Sequence, residues 1–294
     1  MSARIITLMT DFGLSDYFVP AMKGRILSVL PEAMIVDATH EIVKYSVLDA
    51  SLTLEGYWSC FPVGTVHLCV VDPGVGTDRA ILVAEYMGHF FVAPDNGLLT
   101  CILEQAVRYP DNGPLRAWIL KDENRYVKDP SPSFHGRDIF APLAAEVAST
   151  GDPGGFLHLW DPVYLKRVSI PDAVSIENLI TGLVIHVDSF GNLITNIRRS
   201  HFLQAHFPAP DHSAEDGDSA DGITVSELFP YRIIANEVIF FPCRTFAMAQ
   251  VKAEPLAMIG SSGRLELCML EGCAAELEGF GIGTTVRIEV SGNR

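Results

Sequence analysis

Residues 3–39, ARIITLMTDFGLSDYFVPAMKGRILSVLPEAMIVDAT, decide the fold class of the chain. A short apolar run rich in β-branched residues stands at each end of this stretch. Between the two runs, Phe18, Met22 and Ile26 recur at helical spacing. Strand, amphipathic helix and strand in that order predict a βαβ unit, in which a helix crosses over between two parallel strands of one sheet.

The same alternation continues to about residue 150. The runs TVHLCVV, AILVAE, GHFFVAP and RAWIL are typical of strands, and VLDASLTLEGYWSC, DNGLLTCILEQAV and GRDIFAPLAAEVAST are typical of helices. We therefore expect an α/β fold, in which residues 1–150 form a three-layer domain around a mostly parallel sheet.

The character of the sequence changes after this point. Residues 151–175 are rich in Gly and Pro and predict a linker. Short strand-like runs separated by turn residues then fill 176–294, which predicts a second, β-rich domain. Within it, residues 204–222 carry five acidic residues and two prolines but few large apolar groups, so we expect a mobile acidic loop there.

Composition and charge exclude several classes of protein. The chain of 294 residues has 36 Asp and Glu against 21 Lys and Arg, and its net charge of -15 repels nucleic acid and anionic lipid. No apolar run is long enough to cross a bilayer and no signal-peptide pattern is present, so we expect a cytoplasmic protein. No GxGxxG or P-loop motif joins a strand to a helix, and no HxH or HExxH pattern indicates a metal.

Polar residues that follow the predicted strands are the candidates for chemistry, because ligands of α/β sheets bind at the carboxyl ends of strands. Asp11 suits the vicinal hydroxyls of a ribose, although an N-cap or Asx-turn is an equal alternative. The turn DPGVGTDR, from Asp72 to Arg79, gathers a carboxylate, backbone donors and a guanidinium, or is simply a tight turn. His135 precedes a helix, whose dipole disfavours the imidazolium form, so a neutral imidazole could accept a proton.

Two polar segments of the second domain are further candidates. Asp188, Phe190 and Asn192 belong to DSFGN, and Ser261 and Ser262 belong to GSSG. Polar groups beside an aromatic residue suit an amino-acid head group and a stacked base, although each segment alone is more often a turn.

Eight segments in order resemble one family: TDFG, MKGRIL, IVDATHEI, FPVGTVHLCVVDPGVGTDR, FVAPDNGLL, FHGRDIFAP, DSFGNLITNI and GSSGRLEL. They are similar to the S-adenosyl-L-methionine (SAM) hydroxide adenosyltransferases, a group related to fluorinases and chlorinases. The resemblance implies an N-terminal α/β domain, a smaller C-terminal β-barrel, and a homotrimer with each active site between neighbouring subunits. It also implies hydrolysis of SAM to adenosine and L-methionine by attack of water or hydroxide at the ribose C5′. The resemblance implies SAM as the substrate and no further cofactor.

The resemblance also assigns roles to residues. The family's reacting set falls on Asp72, Arg79 and His135. The implied substrate contacts are Asp11 for the ribose, Asp188, Ser261 and Ser262 for methionine, Phe190 and Asn192 for adenine, and Tyr45 and Phe246 as aromatic walls.

Some alternatives stay open at this stage. Either Asp72 or His135 could take the proton from water, because coupled groups share their titration. A halide-using adenosyl transferase is the first alternative function, and Asp72 argues against it because it stands where the halogenases have an uncharged tyrosine. A non-catalytic nucleoside-binding protein and a metal-dependent hydrolase are the others.

Overall fold

The computed structural model describes residues 4–204, 231–243, 245–248 and 251–290. The chain divides into two compact units, Met1–Ser169 and Ile170–Arg294. The predicted domain limits, 1–150 and 176–294, stay a prediction.

Seven strands form the sheet of the first unit: β1 (Ile5–Thr10), β2 (Met34–Thr39), β3 (Val66–Val70), β4 (Ile81–Tyr86), β5 (His89–Pro94), β6 (Arg116–Leu120) and β7 (His158–Trp160). Their order across the sheet is β2-β1-β3-β5-β4-β6-β7. The strands from β2 to β5 in that order are parallel, whereas β4 is antiparallel to both β5 and β6, and β7 is antiparallel to β6. Only β4 and β7 therefore run against the other five, which confirms a mostly parallel sheet.

Helices cover both faces of this sheet: α1 (Phe18–Val29), α2 (Val47–Tyr57), α3 (Thr100–Arg108) and α4 (Ala141–Thr150). Successive side chains of a strand point to opposite faces. Accordingly Leu8 of β1 packs in one core with Met22 and Ile26 of α1, and Met9 packs in the other core with Leu54 of α2. The predicted three-layer arrangement is confirmed, and it places the residues that follow each parallel strand at one edge of the sheet.

Two local features differ from the simple alternation. The strands β4 and β5 form a hairpin through Met87 and Gly88, both with positive φ, instead of a crossover. The helix predicted over GRDIFAPLAAEVAST begins with a π-helical turn, Gly136–Phe140, before α4. That wide turn ends just before Pro142, which has no N–H to donate.

The described part of the second unit contains eight strands: β8 (Val174–Ile176), β9 (Leu179–Val187), β10 (Leu193–Arg198), β11 (Tyr231–Ala235), β12 (Val238–Pro242), β13 (Pro255–Ile259), β14 (Arg264–Met269) and β15 (Thr285–Val290). The order is β10-β14-β13-β12-β11-β15-β9-β8, and β10 also pairs with β9. This last pairing closes seven strands into a barrel and leaves β8 outside on β9, so the β-barrel that the resemblance implies is confirmed. A short helix, α5 (Arg199–Gln204), follows β10.

One predicted segment contains more secondary structure than expected, and another lies almost entirely outside the described residues. The 151–175 segment includes β7 and the start of β8, and the division between the units falls at Ser169. The predicted acidic loop at 204–222 lies outside the described residues apart from its first residue. No described helix has the length and apolar character needed to span a membrane.

Candidate active site

A buried ion pair joins the two ends of the DPGVGTDR turn. Asp72 follows β3 and Arg79 precedes β4. Nε of Arg79 lies 3.1 Å from Oδ1 and 2.8 Å from Oδ2 of Asp72, and Nη2 lies 2.6 Å from the same Oδ2. The two side chains are only 3% and 5% exposed. This fork of charge-assisted hydrogen bonds fixes the guanidinium plane against the carboxylate.

The turn itself is held by a close contact at Gly76. Its φ is +78°, and a Cβ there would lie 2.6 Å from the carbonyl oxygen of Pro132. A side chain is therefore excluded for both conformational and steric reasons. The contact sets the Asp72–Arg79 turn directly against the segment that leads to His135.

His135 completes the cluster from the start of the π-helical turn. Nδ1 of His135 lies 2.9 Å from Nη2 of Arg79. Because a guanidinium can only donate, Nδ1 must accept, and the neutral ring carries its proton on Nε2. Burial, together with the positive charge of Arg79, lowers the pKa of His135 below its usual value. The structure therefore brings Asp72, Arg79 and His135 together, with a neutral imidazole.

One nitrogen of Arg79, Nη1, has no hydrogen-bond partner among the residues that the structure describes. The guanidinium carbon lies 5.2 Å from the centre of the Phe140 ring. Nη1 is buried and makes no hydrogen bond within the described part of the chain. A buried donor without a partner is costly, so Nη1 is suited to hold a water molecule or a developing oxyanion.

Asp11 lies at the same edge of the sheet as this cluster, since Thr10 of β1 pairs with Val70 of β3. Its Oδ2 accepts a hydrogen bond from the backbone N–H of Tyr45 at 2.9 Å, and no described group donates to Oδ1. The N-cap alternative is wrong, because α1 starts after Tyr17. The Asx-turn alternative is wrong too, since Gly13 N donates to the His40 carbonyl.

Aromatic packing connects the Asp11 loop to the His135 segment. The rings of Phe12 and Phe134 meet edge to face, with centroids 6.1 Å apart. A Cβ on Gly136 would lie 3.5 Å from each of these rings. The Asp11 loop and the His135 segment are therefore packed against each other, with Gly136 beside both rings.

Asp188 of the second unit organises its own loop. Its Oδ1 accepts hydrogen bonds from the backbone N–H groups of Phe190 at 2.9 Å and Asn192 at 2.8 Å. Its Oδ2 accepts from Asn192 Nδ2 at 2.8 Å. Phe190, which this loop carries, is 79% exposed.

Phe190, Asn192 and Phe246 line one cavity of about 610 Å³. The other residues that line it are Met269, Leu270, Glu271, Gly272, Cys273 and Glu276. The volume and the aromatic lining suit a molecule of nucleoside size.

The two serines of GSSG lie apart from that cavity lining. Ser261 is exposed in the turn between β13 and β14, and Oγ of Ser262 is buried without a partner among the described residues. Beside Asp188 lies Glu266, which the sequence reasoning missed although it belongs to GSSGRLEL. Burial and the nearby Asp188 carboxylate raise the pKa of Glu266, and a Cβ on Gly260 would overlap its carboxylate.

The Asp72–Arg79–His135 cluster of the first unit does not form a metal-binding arrangement. Asp72 and His135 both face the Arg79 guanidinium, whose positive charge repels a cation. Within the described ranges no three His, Cys, Asp or Glu side chains are grouped as metal ligands.

Family models match both units of the chain. The SAM hydroxide adenosyltransferase N-terminal domain matches residues 6–156, which include all three members of the buried cluster. The C-terminal domain of the same family matches residues 182–287. The chain belongs to the SAM hydroxide adenosyltransferase family.

Individual members of the SAM hydroxide adenosyltransferase family are similar over long stretches. The (R)-S-adenosyl-L-methionine hydrolase of Methanocaldococcus jannaschii is 37% identical, over 66% of this chain and 67% of its own. The Thermus thermophilus protein of that name is 30% identical, over 97% of this chain and 99% of its own. A crystal structure of an uncharacterized conserved protein from Thermotoga maritima superimposes with a TM-score of 0.77 at 30% identity, covering 97% of this chain and 99% of that one. Fluorinases also match, at 25–29% identity.

Proposed function

We propose that the protein hydrolyses SAM to adenosine and L-methionine, and that Asp72, Arg79 and His135 activate the water that attacks the ribose C5′. Hydrolysis of SAM is the activity named for the most similar relatives. The observation that carries the assignment of residues is the buried chain of the three side chains, in which Nη1 of Arg79 has no acceptor among the described residues.

The difficult part of this reaction is the nucleophile. Water has a pKa of about 15.7, so the site must stabilise hydroxide as it forms. Nη1 of Arg79 donates a hydrogen bond to the water oxygen and stabilises its developing negative charge. The oxygen bonds to C5′ while the C5′–S bond breaks, and the electron pair of that bond returns to sulfur. Methionine then leaves as a neutral thioether.

Asp72 is the better acceptor for the proton of water. The Nδ1 lone pair of His135 is already used by Arg79, and its Nε2 carries a proton. The Asp72 carboxylate has further lone pairs beyond the hydrogen bonds from Arg79. We therefore assign His135 to hold the guanidinium in place and Asp72 to take the proton.

Binding of the substrate is assigned to the remaining residues. We propose that Oδ1 of Asp11 accepts from the ribose hydroxyls beside the exposed ring of Tyr45. Adenine occupies the cavity lined by Phe190, Asn192 and Phe246. The methionine part is bound at Asp188, Ser261 and Ser262. Asp188 contributes indirectly, because its carboxylate accepts the hydrogen bonds that hold the loop with Phe190 and Asn192.

The halide-using alternative is less well supported by the charges. A carboxylate at Asp72, beside the nucleophile, repels fluoride and chloride but can accept a proton from water. The relatives named as hydrolases are also more similar than the fluorinases. We further propose that the substrate is the (R) epimer at sulfur, as in the names of those hydrolases.

Assembly and location are proposed on the family resemblance. We propose a homotrimer in which the first unit of one subunit and the second unit of its neighbour share each active site. We also propose a cytoplasmic location, because a permanently charged sulfonium crosses a bilayer poorly.

Incubation with SAM in ¹⁸O-labelled water tests the reaction. We expect ¹⁸O at the 5′ oxygen of adenosine, and depletion of the (R) epimer when an epimeric mixture is supplied. S-adenosylhomocysteine as a product would indicate methyl transfer and contradict the proposal. A halogenated nucleoside formed only with chloride or fluoride would support the alternative.

Co-expression tests the shared site. Arg79→Ala and Asp188→Ala chains with different tags are purified as mixed oligomers. We expect activity above that of either variant alone, because some sites then combine an intact first unit with an intact second unit. Mixed oligomers without such recovery, or a fully active monomer in light scattering, would contradict the shared trimeric site.

A further inference from the structure

The segment IVDATHEI contains a buried histidine that has no part in the proposed reaction. Nδ1 of His40 lies 2.8 Å from Oγ1 of Thr10, and Nε2 lies 3.1 Å from Oδ1 of Asp37. Lys23 Nζ in turn lies 2.6 Å from the other oxygen of Asp37. A carboxylate, an imidazole and a hydroxyl therefore form a continuous chain, and the hydroxyl belongs to the residue directly before Asp11.

The chemistry of these groups sets the direction of the hydrogen bonds. Burial opposes ionisation of Asp37, but hydrogen bonds from Lys23 and His40 outweigh it and lower the pKa of Asp37. An ionised carboxylate only accepts, so Nε2 of His40 donates to it, and Nδ1 is left to accept from the Thr10 hydroxyl. Thr10 itself is fully buried and cannot reach a substrate, so this chain does not supply a nucleophile.

The backbone around His40 contributes to the same arrangement. Gly13 N donates to the carbonyl oxygen of His40 at 2.8 Å. Further along, Tyr45 N donates to Oδ2 of Asp11. Because β1 and β2 are parallel neighbours, the loops after them lie side by side, and His40 joins them through both its backbone and its side chain.

We propose that His40 is a positioning residue for Asp11. Through Thr10 it fixes the loop that presents Oδ1 of Asp11, to which no described group donates, to the substrate hydroxyls. The inference rests on the proposed function, in which Asp11 holds the ribose. A carboxylate that binds substrate and transition state equally well lowers KM and leaves kcat nearly unchanged. Misplacing Asp11 should therefore raise KM with little effect on kcat.

The chain offers a matched pair of variants for the test. Thr7 and Thr10 lie on the same strand and are both fully buried. The hydroxyl of each lies near Nδ1 of a histidine: 2.9 Å from His67 for Thr7, and 2.8 Å from His40 for Thr10. Only Thr10 adjoins Asp11. Thr10→Val and Thr7→Val remove the same group with little change in volume, so both are expected to fold.

We expect Thr10→Val and His40→Ala to raise the KM for SAM about tenfold, the size of a lost hydrogen bond to a charged group, with kcat within about threefold. His40→Asn, whose amide oxygen can replace Nδ1 as the acceptor, should recover most of the affinity. Thr7→Val should leave KM unchanged. The Thr10→Val/His40→Ala double variant should be no worse than Thr10→Val alone, because both changes remove the same Thr10–His40 contact.

Equal KM values for Thr10→Val and the wild type, or an equal rise in KM for Thr7→Val, would overturn the inference. Calorimetric binding of adenosine to the same proteins gives a readout that needs no turnover. Failure of the wild type to release adenosine and methionine would reject the proposed function instead. The two failures are therefore distinguishable.

Discussion

Nη2 of Arg79 lies 2.9 Å from Nδ1 of His135, so a buried imidazole contacts a permanent cation. Protonation of His135 would replace the accepting lone pair with a second positive charge. Burial and Arg79 both resist this and lower the pKa of His135. The cluster is thus suited to operate with His135 neutral.

We predict that kcat/KM stays constant as the pH falls from about 8 to about 6.5, the ordinary value for histidine, and declines only below it. The lowered pKa of His135 keeps the ring neutral over that range. A kcat/KM profile in buffers of constant ionic strength checks this. An acid limb centred above 6.5 would contradict the assignment, and substitution of the exposed His158 by Gln should leave the profile unchanged.

Arg79→Ala should reduce kcat by about 10² to 10³, since removal of one oxyanion donor typically has that effect. KM should change little, because Arg79 is assigned to the nucleophile. Arg79→Lys should recover little activity, since an ammonium cannot reproduce the fork to Asp72. Arg116→Ala, which removes an exposed ion pair with Glu85, is the matched control and should remain fully active.

Asp11→Asn should raise the KM for SAM by about 10- to 100-fold, as expected for loss of hydrogen bonds to a charged acceptor. The effect on kcat should be small, since the ribose is held before and during the reaction. Steady-state kinetics separate the two parameters. A fall in kcat without a change in KM would contradict the ribose role, and Asp111→Asn at an exposed site serves as the control.

Acid should destabilise the first unit through His67 and His89, whose Nε2 and Nδ1 lie 3.2 Å apart in the core. Burial and the neighbouring His89 lower the pKa of His67 to about 3, and burial lowers that of His89. Both groups bind protons more tightly in the unfolded chain, so their contribution is fully present above about pH 6.5 and is lost as the pH falls.

The loss should approach about 1.4 kcal/mol per pH unit for each proton taken up on unfolding. Denaturant unfolding between pH 7.5 and 4.5 measures it. His67→Gln removes one titrating group and should give a flatter pH dependence than the wild type. An unchanged slope in this variant would show that other groups cause the acid sensitivity.

Glu266 should have the opposite pH dependence. Its pKa is raised by burial and by Asp188, so the folded state favours the protonated carboxyl, and stability falls as the pH rises through that pKa. Glu266→Gln should therefore raise Tm at pH 8 by about 2 °C. This gain should disappear below about pH 4.3, where the wild-type carboxyl is protonated in both states. A lower Tm at pH 8 would indicate that the carboxylate has a favourable partner.

Much of the fold could be predicted from local patterns. The helical spacing of Met22 and Ile26 identifies the face of α1 that is buried, and each β-branched run forms a strand. The run YRIIANEVIFF is two strands, because Asn236 and Glu237 adopt positive φ and turn the chain. Barrel closure depends on which strands pair, so it followed from the family resemblance and not from periodicity.

The site was less predictable, because its contacts join residues that are far apart in sequence. Arg79 and His135 are separated by 56 positions, and no local pattern indicates their contact. His40 and Glu266 were missed for a related reason. Each lies within or directly after an ordinary strand run, and its importance appears only when its neighbours on other strands are known.

The contact between Gly76 and the Pro132 carbonyl makes the Asp72–Arg79–His135 cluster a two-part unit. If the DPGVGTDR turn alone were transferred to another α/β scaffold, Arg79 would lack the imidazole of His135. Gly76 would lack the Pro132 carbonyl against which it packs. A change of length between 132 and 135 would shift His135 relative to Arg79. An engineer who wishes to move this chemistry must therefore graft both segments together and keep their register.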